Sequence, residues 1–157
     1  LYCMVGLPTE TAEDREALPA LARRLTEMFP RLVFHYSVGA FSPRPHTPFE
    51  LEPLPPLRDL RNWLATAQRR LQALRRVEVT TDSARWAALQ AVFSRSDERL
   101  GMALARRHAG NFSELVQSLA AESLAFEELT GPQDPGGPLP WKIVDPHPRG
   151  LSPEDRR

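Results

Sequence analysis

Leu1-Tyr2-Cys3-Met4-Val5-Gly6-Leu7-Pro8, at positions 1–8, and Leu32-Val33-Phe34-His35-Tyr36-Ser37-Val38, at positions 32–38, are the stretches whose reading decides the fold. The first is a continuous apolar run stopped by Gly6 and Pro8, a pattern that fits a strand buried on both faces. The second is β-branched and aromatic, which predicts another strand ending near Phe41. Between them Thr11 offers an N-cap with Asp14 three residues on, a relative of the Thr-to-Glu capping box. Leu18, Leu21, Ala22, Leu25 and Met28 come next at helical spacing, so a helix should run to about Phe29. Pro19 lies inside it, which predicts a kink or a turn that restarts with Pro19 in its first turn. Strand, helix and strand over this interval form a βαβ unit, whose strands are parallel. The segments after them, Gly6 to Glu10 and Ser42 to Pro48, then share the C-terminal edge of the sheet, where α/β folds place ligands.

Outward from this unit the prolines divide the chain. Sixteen occur among 157 residues, but none between Leu57 and Gly131, so that interval is permissive for long helices. We therefore divide the chain into 1–56 (strand unit and proline-rich connector), 57–131 (helical extension) and 132–157 (Pro/Gly-rich tail), all within the length of one domain. Leu57, Leu60, Leu64, Ala67, Leu71 and Leu74 predict an amphipathic helix. Val77-Glu78-Val79-Thr80 reads as a short edge strand. Asp82 or Ser83 should cap a helix through about Phe93, and Ser94 or Ser96 another through His108, stopped by Gly110. Asn111 with Glu114 should cap a final helix to Gly131, with Phe112, Leu115, Val116, Leu119 and Phe126 on one face. No repeat of solenoid length is evident.

Twenty basic residues balance twenty acidic ones, which disfavours a nucleic-acid binder driven by net charge. One cysteine, Cys3, excludes an internal disulfide and any multi-thiolate site built from this chain alone. No apolar run reaches the length of a membrane span, and no basic-then-apolar leader opens the chain. The reading is a cytoplasmic protein that does not engage membranes, and a start at Leu1 that looks cut.

Two segments are candidates for chemistry. Gly6-Leu7-Pro8-Thr9-Glu10-Thr11 joins a strand end to a helix N-terminus, where backbone can approach a ligand; the plainer reading is an ordinary βα loop with Glu10 placed by the helix dipole. Ser42-Pro43-Arg44-Pro45-His46-Thr47-Pro48 is held extended by its prolines, so its backbone can lie edge-on to a planar ligand while Arg44 binds an anion; the plainer reading is a rigid loop with a solvated arginine. His46 has no second metal ligand beside it in sequence, and His35, His108 and His147 are read as structural and unpaired.

"LYCMVGLPTET" succeeded about thirty residues on by "FSPRPHTPFE" resembles the last two strand units of radical S-adenosylmethionine enzymes, especially the branch fused to a cobalamin-binding-type domain. "AVFSRSDERLG" and "LPWKIVD" resemble blocks of that branch's helical extension, so the likeness runs from Leu1 to about Asp145. It implies the terminal βαβ part of a partial (β/α)6 barrel followed by a mostly helical extension, an α/β protein. Gly6, Leu7, Pro8 and Glu10, with Ser42, Pro43 and Arg44, would then form the adenine side of an S-adenosylmethionine site. The parent enzyme would reduce S-adenosylmethionine at a [4Fe–4S] cluster to a 5′-deoxyadenosyl radical, with cobalamin as a further cofactor of the branch. The CxxxCxxC cluster motif is absent, so the resemblance assigns no catalytic or metal-ligating residue here and makes the upstream part of the parent protein the partner. Pro19 and Ser96, the latter where glycine is more familiar, depart from the pattern. Two other readings stand beside it: a non-catalytic helical interaction module, and a piece of a methylthiotransferase-like RNA-modifying enzyme. The latter would carry a small β-barrel after the second strand, where this sequence supplies helices.

Overall fold

The computed structural model describes residues 1–106 and 111–144. Its sheet has three parallel strands, β1 (Tyr2–Val5), β2 (Phe34–Ala40) and β3 (Val77–Thr81), in the order β1-β2-β3. Val5 pairs with Ala40 at one end, and Phe34 pairs with Val77 at the other. Helices α1 (Ala12–Met28) and α2 (Leu57–Gln72) make the two crossovers. The chain is thus an α/β fold in which the expected βαβ unit is extended by a second one.

Both crossover helices pack on one face of the sheet. Val5, Tyr36, Val38 and Ala40 meet Ala22 of α1 and Leu60, Leu64 and Leu71 of α2 in one buried cluster. Strand alternation therefore sends Tyr2, Met4, His35, Ser37, Glu78 and Thr80 to the opposite face, where Tyr2 is 95% and Met4 49% exposed. This corrects the expectation that β1 is covered on both faces: its apolar run reads as doubly buried, but among the described residues no helix lies over the second face.

α1 opens on the predicted cap. Thr11 Oγ1 accepts from the Asp14 N–H at 3.2 Å and Asp14 Oδ2 accepts from the Thr11 N–H at 2.8 Å. The helix then runs through Pro19 as one element, with no restart. Proline removes a single intrahelical donor, and the buried Ala22 and partly buried Leu18 on either side dock the helix regardless.

Beyond the sheet come α3 (Ala84–Arg95), α4 (Arg99–Arg106), α5 (Phe112–Ala121) and α6 (Phe126–Thr130), then a short 3₁₀ helix at Pro140–Ile143. Val92, Ala103, Leu115, Leu119 and Leu124 form a second core among them. The single helix expected from Asn111 to Gly131 is two, because Ser123 adopts a left-handed φ of 57° between α5 and α6. Nor do Ser94 and Ser96 cap α4. Their hydroxyls turn back to the carbonyls of Gln90 and Val92 in α3, and Asp97 Oδ1 accepts from the Arg99 N–H at 3.0 Å instead. The predicted end of α4 at His108 and Gly110, and the tail beyond Val144, lie outside the described residues.

Arg95 ties α3 to the connector and to the end of α6. It is 1% exposed, and its guanidinium donates to the carbonyls of Glu50 (2.6 Å), Glu52 (2.6 Å), Leu129 (3.3 Å) and Gly131 (2.9 Å). The proline-rich connector is thereby tied to the end of α6. Burial pulls the guanidinium's pKa down, with the Glu50 carboxylate opposing.

Candidate functional site

Parallel register places the ends of all three strands at one edge, so the residues after Val5, Ala40 and Thr81 are neighbours. The two predicted segments meet there directly: the Phe41 N–H donates to the Val5 carbonyl at 2.8 Å.

Gly6 occupies a left-handed φ of 86°, and a Cβ on it would stand 2.7 Å from Leu60 Cδ2. The position needs glycine for its backbone and for close approach of α2. The Gly6 N–H donates to Glu10 Oε2 at 2.8 Å, and Arg15 Nη1 reaches the same oxygen at 3.0 Å. Arg15 also stacks 4.7 Å over the Trp63 ring. The Glu10 carboxylate, with its side chain 8% exposed, is thus committed to closing the turn. Leu7 is half-buried and Pro8 and Thr9 are exposed, so of this segment those three side chains remain open to a ligand.

In the second segment Ser42 is buried, its hydroxyl donating to the Ala87 carbonyl at 3.0 Å, and Pro43 is fully buried. Arg44 is exposed and donates to Gln90 Oε1 on α3. The Glu50 carboxylate secures the rest of the segment to the chain's C-terminal part: its Oε2 accepts from the His46 N–H at 2.7 Å and from Trp141 Nε1 at 3.1 Å. His46 itself has a φ of 60°. The sequence thus locates the segment, while its buried side chains turn out to be scaffold.

A third contributor escaped the sequence reading. The Asp82 N–H extends the ladder by donating to the Val38 carbonyl at 3.1 Å, and its Oδ2 lies 3.2 Å from where a Cβ on Gly39 would stand. Ser83 takes the capping role, accepting from the Trp86 N–H at 3.0 Å, so Asp82 is left at the C-terminal edge of the sheet. A second strand-helix-strand pattern, closed by Val77 to Thr81, was the available signal.

His35 corrects the reading of an unpaired structural histidine. It stands on the uncovered face, and its Nδ1 lies 3.1 Å from Glu78 Oε2, a cross-strand pair of neighbours in the parallel register. Cys3 is half-buried on the helix-covered face, and burial raises its thiol pKa. Among the described residues no group of three or more His, Cys, Asp or Glu side chains is placed to hold one metal ion. One half-buried thiol does not fit the ligand set of a [4Fe–4S] cluster.

No family model matches the chain, and no solved structure matches it. An uncharacterized protein of Methanocaldococcus jannaschii is 28% identical over 150 residues, which are 92% of this chain and 30% of that protein. The chain spans under a third of this relative's length. Among the described residues no helix is long and apolar enough to cross a membrane.

Proposed function

We propose that the chain is the closing part of the partial (β/α)6 barrel of a radical S-adenosylmethionine enzyme, with its helical extension, and that its ligand edge is the adenine-side wall of the cofactor site. The observation that carries this reading is the incomplete parallel sheet. All three strands aim the same edge at one place, yet one face and the outer edge of β1 lack cover among the described residues. Parallel sheets are ordinarily covered on both faces. Preceding strands of a barrel would turn that face inward.

In this reading Leu7, Pro8 and the backbone from Ser42 to Arg44 border the adenine, and Arg44 offers a cation at the rim. Gly6, Glu10 and Arg15 keep the turn in shape, and the buried Pro43, between Ser42 and Arg44 that both bond α3, keeps the second segment from moving. When bound beside a reduced cluster, S-adenosylmethionine would supply a 5′-deoxyadenosyl radical, the electron coming from the cluster and methionine leaving as its S–C5′ bond breaks. The cluster's ligands, and any cobalamin-binding domain, belong to the upstream part of the parent, in a reducing cytoplasm.

The test is to express the complete polypeptide, reconstitute iron and sulfide anaerobically, reduce it and assay S-adenosylmethionine cleavage. Formation of 5′-deoxyadenosine supports the reading, whereas none from a cluster-loaded protein overturns it. The separate core of α3 to α6 favours the second reading, an interaction module; a natural start codon immediately before Leu1 would select it.

A further inference from the structure

The opposite, N-terminal edge of the sheet carries a surface that the cofactor reading leaves unused. Within 23–33 and 69–76 the sequence holds seven arginines, Arg23, Arg24, Arg31, Arg69, Arg70, Arg75 and Arg76, against one acid, Glu27. The fold brings the two stretches together, since the Phe34 N–H donates to the Arg76 carbonyl at 2.8 Å and β2 and β3 begin in register. Thr26, Glu27 and Pro30 face Ala73, Leu74, Arg75 and Arg76 across a cleft of about 530 Å³. All seven arginines are exposed. Arg70 is paired with Glu16 and Arg69 bonds Thr66, whereas Arg23, Arg24, Arg31, Arg75 and Arg76 have no carboxylate partner among the described residues.

Exposed apolar side chains adjoin the cleft residues in sequence: Met28 is 57%, Phe29 45%, Leu32 53% and Val33 50% exposed. The helix dipole accounts for Arg69 and Arg70 in the last turn of α2. It accounts neither for Arg31, Arg75 and Arg76, which lie outside helices, nor for four neighbouring apolar residues left in water.

We infer that this edge is a docking surface for a partner protein presenting an acidic segment with apolar anchor side chains. The charge selects an anionic partner, and the concave cleft with flanking Met28, Leu32 and Val33 selects one that brings apolar side chains to bury. A nucleic acid would meet a single aromatic, Phe29, and no stacking platform on the aliphatic residues. A membrane would meet a cleft with Glu27 in its wall.

The test uses the whole chain and a short fluorescein-labelled peptide that alternates glutamate with leucine and phenylalanine. Three competitors are set beside it: the glutamine counterpart, oligo-deoxythymidine and phosphatidylglycerol vesicles. Saturable one-to-one binding of the acidic peptide is expected, weakened by about tenfold or more in the Arg31→Glu, Arg75→Glu double variant and unchanged in Arg58→Glu. The glutamine counterpart should bind at least about tenfold more weakly. Tighter binding of the oligonucleotide or the vesicles overturns the inference, as does peptide binding that the double variant leaves intact. If the double variant instead abolishes self-association of the chain, the occupant is a second copy and the inference fails. Adenosyl-cofactor chemistry at the opposite edge is untouched by any of these outcomes.

Discussion

Gly6 shows how a residue that looks made for a ligand can be held by its own scaffold. An alanine there would take a left-handed φ, costing about 1–3 kcal/mol, and would press on Leu60, adding about 1–3 kcal/mol. Gly6→Ala should therefore lower the urea-unfolding free energy by at least about 2 kcal/mol. A change near zero would mean that α2 does not approach the turn this closely. Arg95→Leu strips four carbonyls of their donor, each left acceptor costing about 1–3 kcal/mol where water does not reach it, so we expect a loss above about 3 kcal/mol. Arg95→Lys should recover only part of it, since a point ammonium cannot span the set. Tyr36→Phe should move the other way. The Tyr36 hydroxyl is buried without a partner among the described residues, and its removal should leave stability unchanged or raise it by about 1 kcal/mol.

At the level of elements, acid should loosen the starts of α1 and α4. Backbone and side-chain bonds from Thr11 hold the Asp14 carboxyl below its ordinary pKa, and bonds from Arg99 do the same for Asp97. A folded-state pKa below the unfolded one stabilises above the unfolded value, and that contribution disappears as pH falls through the folded one. The amides of Thr11 and Arg99, which donate to these carboxylates, should thus lose hydrogen-exchange protection below about pH 4, before β2 does. Equal protection down to the acid unfolding midpoint would contradict these caps. Elements with local signals were legible: the Thr11 and Asn111 caps, the β-branched runs and the spacing of Leu57, Leu60, Leu64 and Leu71 all predicted what formed. The α5–α6 break was not, because a left-handed Ser123 leaves no sequence mark as a glycine would. The candidate edge was legible as a place, from the parallel crossover. Its side chains were not, because Ser42 is fixed by Ala87 of α3, far along the chain, and because Glu10 turns back onto the Gly6 N–H, a bond that spacing alone does not mark.

For the whole molecule, the central claim is that this sheet is one end of a larger one. β1 pairs with β2 on one side only, and Tyr2, Met4, His35 and Glu78 stand on a face with no helix over it among the described residues. Unpaired strand edges and exposed apolar side chains promote pairing with other chains. The most direct measurement is sedimentation velocity across a concentration series of three proteins: the chain, Tyr2→Lys, and the chain extended by its upstream sequence. Concentration-dependent association of the chain, weakened by Tyr2→Lys and absent in the extended protein, is the predicted result. A monodisperse monomer at every concentration, unaltered by Tyr2→Lys and by the extension, would contradict the account.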